Sequence, residues 1–107
     1  MMTDKRKSSE NIDGSKVVEL IRKTNSKLAP HWDRLLAYHM SKAAGRGVDI
    51  YDLALKDPKE FRELFIKAFG EVGWELYKRV LLRTASEMNL NPIGILALFE
   101  QLPEMPF

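Results

Sequence analysis

The chain has 107 residues, of which 45% are hydrophobic and 30% are charged, and it contains no cysteine. This length fits one domain of ordinary size, and the composition is typical of a globular chain. The lack of cysteine excludes disulfide and thiol chemistry and, with no recognisable signal peptide, predicts a cytoplasmic protein. The longest apolar run, from Ile93 to Phe99, is far shorter than the ~20 residues that cross a bilayer, so no membrane role is expected.

The first 14 residues differ in composition from the rest of the chain. They are polar and include the cluster Lys5-Arg6-Lys7, with Ile12 as the one branched aliphatic residue. Such a segment cannot bury enough apolar surface to offset its chain entropy, which predicts a disordered basic tail over residues 1–14 and a single helical domain over residues 15–107. The tail is either a solubility feature or an arm for nucleic acid or a membrane surface.

Two helices are predicted in the first half of the domain. The first covers about residues 16–28, with Ser15 as its N-cap and a narrow apolar stripe. The second begins at Pro30, because proline is well tolerated in a first helical turn, and ends at Gly45 and Gly47. Its three- and four-residue spacing of apolar side chains predicts a buried face that includes Leu35, Leu36, His39 and Met40.

Three acidic or amide residues mark further helix starts. Asp49 is expected to cap a short helical turn, while Asp57-Pro58 and Asn91-Pro92 combine an N-cap with proline at the first helical position. The helix after Asp57 should end at Gly70, and a longer one should follow to about Asn89. The shared periodicity predicts a core that contains Leu35, Leu36, Phe61, Leu64, Phe65, Tyr77, Val80 and Leu81.

The last predicted helix is apolar on nearly every side from Ile93 to Phe99. A helix without a polar face must be covered by the rest of its own domain, by a second copy or by another protein. We expect an interaction surface, with self-association as a homodimer, through Ile95, Leu98, Phe99 and Leu102. The alternative is a monomer in which this helix packs among the others. With no strand-like alternation anywhere, the fold class is all-α, a compact bundle of about five helices.

The sequence contains no motif for catalysis, for a metal or for a cofactor. His31 and His39 are eight residues apart, so on one straight helix they point about 80° apart and cannot share a metal ion. The acidic pairs Asp49 with Asp52 and Glu71 with Glu75 lie at predicted helix starts, where carboxylates favour the helix dipole. We therefore expect a protein that is not an enzyme.

Basic residues offer a second candidate surface. A net charge of +2 and a pI near 8.9 are only mildly basic. Basic side chains could nevertheless converge in the fold and form a surface that contains Arg22, Lys23, Lys27, Lys78, Arg79 and Arg83. Because acidic residues are interspersed throughout, a continuous phosphate track is not favoured, and a small nucleic-acid-binding or transcription-regulator-like protein is the second hypothesis.

One family resemblance covers about residues 31–90. It rests on four segments, which are Tyr38-His39-Met40, Gly47-Val48-Asp49-Ile50, Asp57-Pro58-Lys59-Glu60-Phe61 and Ala68-Phe69-Gly70-Glu71. With these segments the chain resembles the small archaeal helical domain named Nitrosopumilus output domain, type five, although Met40 stands where leucine is usual. The resemblance implies an archaeal signal-transduction or regulatory module without catalytic residues. The first functional hypothesis is therefore a protein-interaction or regulatory module that acts on a protein partner.

Overall fold

Helices dominate the computed structural model, which describes residues 13–100. In chain order they are α1 (Gly14–Leu28), α2 (Trp32–Ala44), α3 (Ile50–Lys56), α4 (Pro58–Glu87) and α5 (Pro92–Phe99). No strand occurs within these residues, so the all-α prediction is confirmed there. The tail prediction for residues 1–12 lies outside the described residues, whereas Asp13 and Gly14 already belong to the start of α1.

Side-chain caps fix where most of the helices begin. Asp49 accepts hydrogen bonds from the backbone N–H groups of Tyr51 and Asp52. Asp57 accepts one from the N–H of Glu60 at 3.2 Å, and Asn91 accepts one from Ile93 at 3.0 Å. The three predicted caps are thus confirmed.

Two predicted helix starts in the first half were wrong. The N-cap of α1 is Asp13, which accepts a hydrogen bond from the N–H of Ser15, the residue that had been expected to be the cap. The helix α2 begins at Trp32 instead of Pro30, because His31 adopts a left-handed conformation with φ of 62° and cannot continue a helix from Pro30.

The long helix α4 is broken at Gly70. This residue has φ of 86° and ψ of 167°, a combination that is accessible almost only to glycine. We call residues 58–69 the first arm and residues 71–87 the second arm of α4. The break confirms the prediction that one helix ends at Gly70 and another follows it.

Aromatic contacts show that the two arms fold back on each other. The rings of Phe61 and Tyr77 have centroids 6.3 Å apart, although sixteen residues of straight helix would separate them by about 24 Å. Phe65 lies 5.5 Å from Trp74 and 4.7 Å from Tyr77 across the same interface. The arms therefore form a helical hairpin, and all four other helices pack against it.

The core lies between this hairpin and the other helices. Six of the eight residues predicted to be buried are confirmed there, namely Leu36, Phe61, Leu64, Phe65, Tyr77 and Leu81. Val80 is only half-buried, and Leu35 is 47% exposed. The helix α2 turns Leu36 and Met40 into the core, and Leu35 lies about 100° around the helix from Leu36, on the outer side.

The last helix contributes two of its residues to the core. Ile95 and Phe99 are at most 1% exposed, and the ring of Phe99 lies 5.6 Å from that of Phe61 and 6.0 Å from that of Trp74. The prediction of an interaction surface through these two residues was therefore wrong, because the hairpin of α4 covers them. Leu98 is half-buried against the core, and Leu102 lies outside the described residues.

Polar contacts hold the end of α5 on the hairpin. The carboxylate of Glu100 accepts hydrogen bonds from Trp74 Nε1 at 2.7 Å and Lys78 Nζ at 2.9 Å, both on the second arm. Arg62 of the first arm lies 3.5 Å from the same carboxylate oxygen. One side chain after α5 thus joins both arms of α4. Among the helices that the structure describes, none is long and apolar enough to span a membrane.

Candidate functional site

The six basic residues expected on one surface do not all come together. Arg22 places its guanidinium over the ring of Tyr51, 4.8 Å from the centroid, on the side of α1 that meets α3. Lys78 donates hydrogen bonds to Glu75 and Glu100 and keeps only 16% of its side chain exposed. The guanidinium of Arg22 is therefore engaged with α3, and the charge of Lys78 is already used within the domain.

The remaining four basic residues belong to neighbouring parts of α1 and α4. Lys23, Lys27 and Arg83 all act electrostatically on Glu87, to which Lys27 donates a hydrogen bond. Arg79 lies one helical turn before Arg83 on the same face of α4. We refer to these four basic residues as the basic rim, which consists of Lys23, Lys27, Arg79 and Arg83.

Acidic side chains interrupt the basic rim. The hydrogen bond from Lys27, with the nearby charges of Arg83 and Lys23, holds the pKa of Glu87 below its ordinary value. Lys23 also lies 3.9 Å from Glu19 on α1. In the described part of the chain, neither Arg79 nor Arg83 forms an ion pair. The two arginines thus carry the charge that is available at the rim.

An apolar groove lies next to the basic rim. It has a volume of about 510 Å³ and runs between the end of α1, the start of α2 and the hairpin of α4 near Gly70. Arg79 is its only charged lining residue among residues 13–100. The other lining residues are apolar or aromatic, and they are Leu28, Ala29, Trp32, Phe65, Phe69, Gly73, Leu76, Tyr77 and Val80. We call this feature the docking groove.

Exposed apolar side chains extend the docking groove over the adjoining surface. Leu76 on its wall is 57% exposed, and Val72, one turn earlier on the same face, is 74% exposed. On α2, Leu35 and Tyr38 are 47% and 57% exposed, and Leu35 follows the groove residue Trp32 by three positions. Clusters of exposed apolar residues of this kind are typical of surfaces that bind another molecule.

The break at Gly70 creates the groove. It turns the second arm of α4 back, so that Gly73 and Leu76 face the ends of α1 and α2. The ring of Trp32 lies 5.8 Å from that of Phe69, and His39 lies 5.4 Å from Phe69 with its ring edge-on. Trp32 and Phe69 therefore form the aromatic floor between the helices.

Sequence reasoning did not find this groove. Leu76 and Trp74 are both apolar residues of the second arm of α4, two positions apart, but Trp74 is 1% exposed while Leu76 is 57% exposed. The sequence did contain a signal for it. Val72 and Leu76 are apolar residues of the second arm of α4 that were not among the predicted core residues. A helix with apolar residues beyond its core face is a candidate for a second contact.

The lining of the groove and the two histidines bear on the expectations for a metal site. Within the described range, no three histidine, cysteine or acidic residues are placed to hold a metal ion. His31 is exposed at the start of α2, and His39 packs half-buried between Tyr38 and Phe69. The groove offers a ligand apolar contacts next to a positive charge.

Comparison with known proteins gives a family. The family model for Nitrosopumilus output domain 5 matches residues 12–92, a range that covers most of the chain and includes α1 to α4. Searches of curated proteins and of solved structures gave no match. The match extends beyond the resemblance over residues 31–90 and includes the helix α1, which supplies one wall of the docking groove. This chain therefore belongs to the family described as Nitrosopumilus output domain 5.

Proposed function

We propose that this chain is a non-enzymatic interaction module, and that its docking groove binds an amphipathic helical segment of a protein partner with acidic residues beside its apolar face. The observation that carries this proposal is the apolar groove with one charged lining residue, Arg79, next to the basic rim. The family is described as an output domain, and this description is compatible with a regulatory role in which the chain transmits a signal to another molecule.

The shape of the groove favours a helix as the occupant. It lies between helices, the exposed Leu76 is on its wall, and the exposed Leu35 follows the lining residue Trp32 by three positions on α2. An amphipathic helix places apolar side chains at positions i, i+3 or i+4 and i+7 along such a groove, while its polar face stays in water. A helix of about three turns supplies three such anchors.

The charge of the groove favours acidic residues on the partner. Arg79 and Arg83 have no ion pair among the described residues, so that a partner carboxylate could form charge-assisted hydrogen bonds with them. Nucleic acid is less favoured, because Glu87 and Glu19 interrupt the basic rim where phosphates would lie.

A displayed library of amphipathic helical peptides tests the proposal, with a constant apolar face and either glutamate or lysine on the polar face. The purified chain should enrich the glutamate peptides. Leu76→Glu should abolish this binding, because it places a carboxylate in the apolar groove, and Arg79→Glu should reverse the charge preference. Ile93→Glu is the matched control, because Ile93 is 64% exposed on α5 and does not line the groove.

Three outcomes would overturn the proposal. The first is enrichment that does not depend on Leu76 or on the charge of the peptide. The second is dimerisation in sedimentation equilibrium that Leu76→Glu abolishes, which would make a second copy the occupant. The third is binding of duplex DNA that weakens steeply with salt and is lost with Arg79→Glu and Arg83→Glu, which would assign the basic rim to nucleic acid.

A further inference from the structure

A second cavity shares the lining residue Trp32 with the docking groove. It has a volume of about 250 Å³, and its walls come from the second half of α1, the turn at His31 that begins α2, and Tyr51 of α3. Ala29 and Trp32 line both this cavity and the groove. We call it the α1–α2 cavity, and its polar wall residues include Arg22, Asn25, Trp32 and Asp33.

Two buried hydrogen-bond donors on this wall have no acceptor. The Nδ2 atom of Asn25 and the Nε1 atom of Trp32 are both buried, and neither has a hydrogen-bond partner among the described residues. Asn25 is 2% exposed as a whole. Buried N–H groups are nearly always paired, and the two residues that carry these donors both line the cavity, so the cavity is the place from which an acceptor would reach them.

A contact with Tyr77 sets the orientation of the Asn25 amide. Tyr77 donates its hydroxyl proton to Asn25 Oδ1 at 2.8 Å. Because the oxygen is engaged with Tyr77, the amide nitrogen is the atom left without a partner. The free donor is therefore a consequence of the contact between α1 and the second arm of α4.

A third donor on the same wall carries positive charge. Arg22 lines the cavity with its guanidinium against Tyr51, and it forms no ion pair within residues 13–100. A carboxylate group matches this set, since its two oxygens accept several hydrogen bonds and one of them can come from a guanidinium. Asp33 on the same wall disfavours a dianion such as phosphate.

From these observations we propose that the α1–α2 cavity binds a small organic carboxylate, whose oxygens accept hydrogen bonds from Asn25, Trp32 and Arg22. The volume is below that of a site for a drug-sized ligand, so the occupant is of the size of a small metabolite. This site shares Ala29 and Trp32 with the docking groove, but the proposal does not depend on the function proposed for the groove.

Nuclear magnetic resonance can observe one of the three donors directly. The chain contains two tryptophans, and therefore two indole N–H signals, of which Trp32→Phe identifies the one from Trp32. Acetate and benzoate would be titrated to millimolar concentrations, with acetamide and benzamide as their neutral counterparts. We expect at least one carboxylate to shift the Trp32 indole signal in a saturable manner while the Trp74 signal stays in place. The neutral counterparts should bind more weakly.

Arg22→Gln tests whether the charge contributes, and it changes a side chain that is exposed. Its affinity for the carboxylate should be lower by about tenfold, because one charge-assisted hydrogen bond is lost. Lys23→Gln is the matched control, since it removes a neighbouring positive charge that does not line the cavity. The proposal would be overturned if no carboxylate shifted the Trp32 signal, or if Arg22→Gln and Lys23→Gln weakened binding equally.

Discussion

Tyr77 donates a hydrogen bond to Asn25 at 2.8 Å, although 52 positions of sequence separate the two residues. Tyr77 and Asn25 are each 2% exposed. The bond joins the second arm of α4 to α1 in the interior of the domain. Burial raises the pKa of the Tyr77 hydroxyl above its ordinary value, with a smaller contribution from Tyr51, so that it remains a neutral donor. This bond also connects the two proposed binding sites, because Tyr77 lines the groove and Asn25 lines the cavity.

Replacement of Tyr77 by phenylalanine should destabilise the fold by about 1–3 kcal/mol, since it leaves the buried Oδ1 atom of Asn25 without a donor. Urea denaturation followed by circular dichroism measures this loss. Tyr38→Phe is the control, because Tyr38 is 57% exposed and should change the free energy of unfolding by less than about 0.5 kcal/mol. Equal stability of the Tyr77 variant and the wild type would show that the bond contributes nothing.

Replacement of Gly70 by alanine should cost about 1–3 kcal/mol, because alanine must adopt a backbone conformation with φ of 86° and ψ of 167°. No atom lies close enough to obstruct a Cβ at this position, so that the backbone alone accounts for the effect. Gly47→Ala is the control, since Gly47 has no positive φ and its surroundings are equally open. Thermal unfolding of both variants makes the comparison, and an equal change in the two would contradict the role assigned to the break.

Removal of a side-chain cap should destabilise the helix that it begins. We expect Asp57→Ala and Asn91→Ala each to lower the free energy of unfolding by about 0.5–2 kcal/mol, because a backbone N–H group at the helix start loses its acceptor. Serine at either position should restore most of the loss, since its hydroxyl is also a good cap. If serine were no better than alanine in urea denaturation, the loss would have a different cause.

The caps and the break at Gly70 could be predicted because each depends on a few adjacent residues. Asp57-Pro58 and Asn91-Pro92 satisfy or remove the first free N–H groups of a helix by themselves, whatever packs around it. The positive φ at Gly70 likewise follows from a residue that has no Cβ. Ser15 failed as a cap because Asp13, two residues earlier, has a side chain that fills the same role.

The surfaces could not be predicted, because burial depends on which helices meet. Periodicity places Leu35 and Leu36 on one broad stripe of α2, and only the position of the α4 hairpin determines that Leu36 is buried and Leu35 exposed. The apolar helix α5 could have covered a partner equally well, but Phe99 fills the space beside Phe61 and Trp74. The docking groove arises between elements that are distant in sequence, and the α1–α2 cavity is completed by Tyr51 of α3.

The carboxylate of Glu100 gives the stability of the fold a predictable dependence on pH. Partial burial opposes its ionisation, but hydrogen bonds from Trp74 and Lys78 outweigh this effect, so the pKa of Glu100 lies below its ordinary value of 4.5. A carboxyl group with a lowered pKa stabilises the folded state above the unfolded value, and this contribution disappears as the pH falls through the folded value. Burial opposes the charged form of Lys78, but its hydrogen bonds to Glu100 and Glu75 outweigh this effect and raise the pKa of Lys78 above its ordinary value of 10.5, so its contribution is lost only above that pH.

Glu100→Gln should therefore be less stable than the wild type at neutral pH by about 1–3 kcal/mol, because the amide keeps an acceptor for Trp74 but loses the charge that faces Lys78 and Arg62. The difference should close as the pH falls below 4.5, where the wild-type carboxyl group also becomes neutral. Urea denaturation at a series of pH values measures it. Glu63→Gln, an exposed change on the first arm of α4, should show no such dependence. If the variant and the wild type still differed in free energy of unfolding at acidic pH, the loss would come from packing and not from the charge.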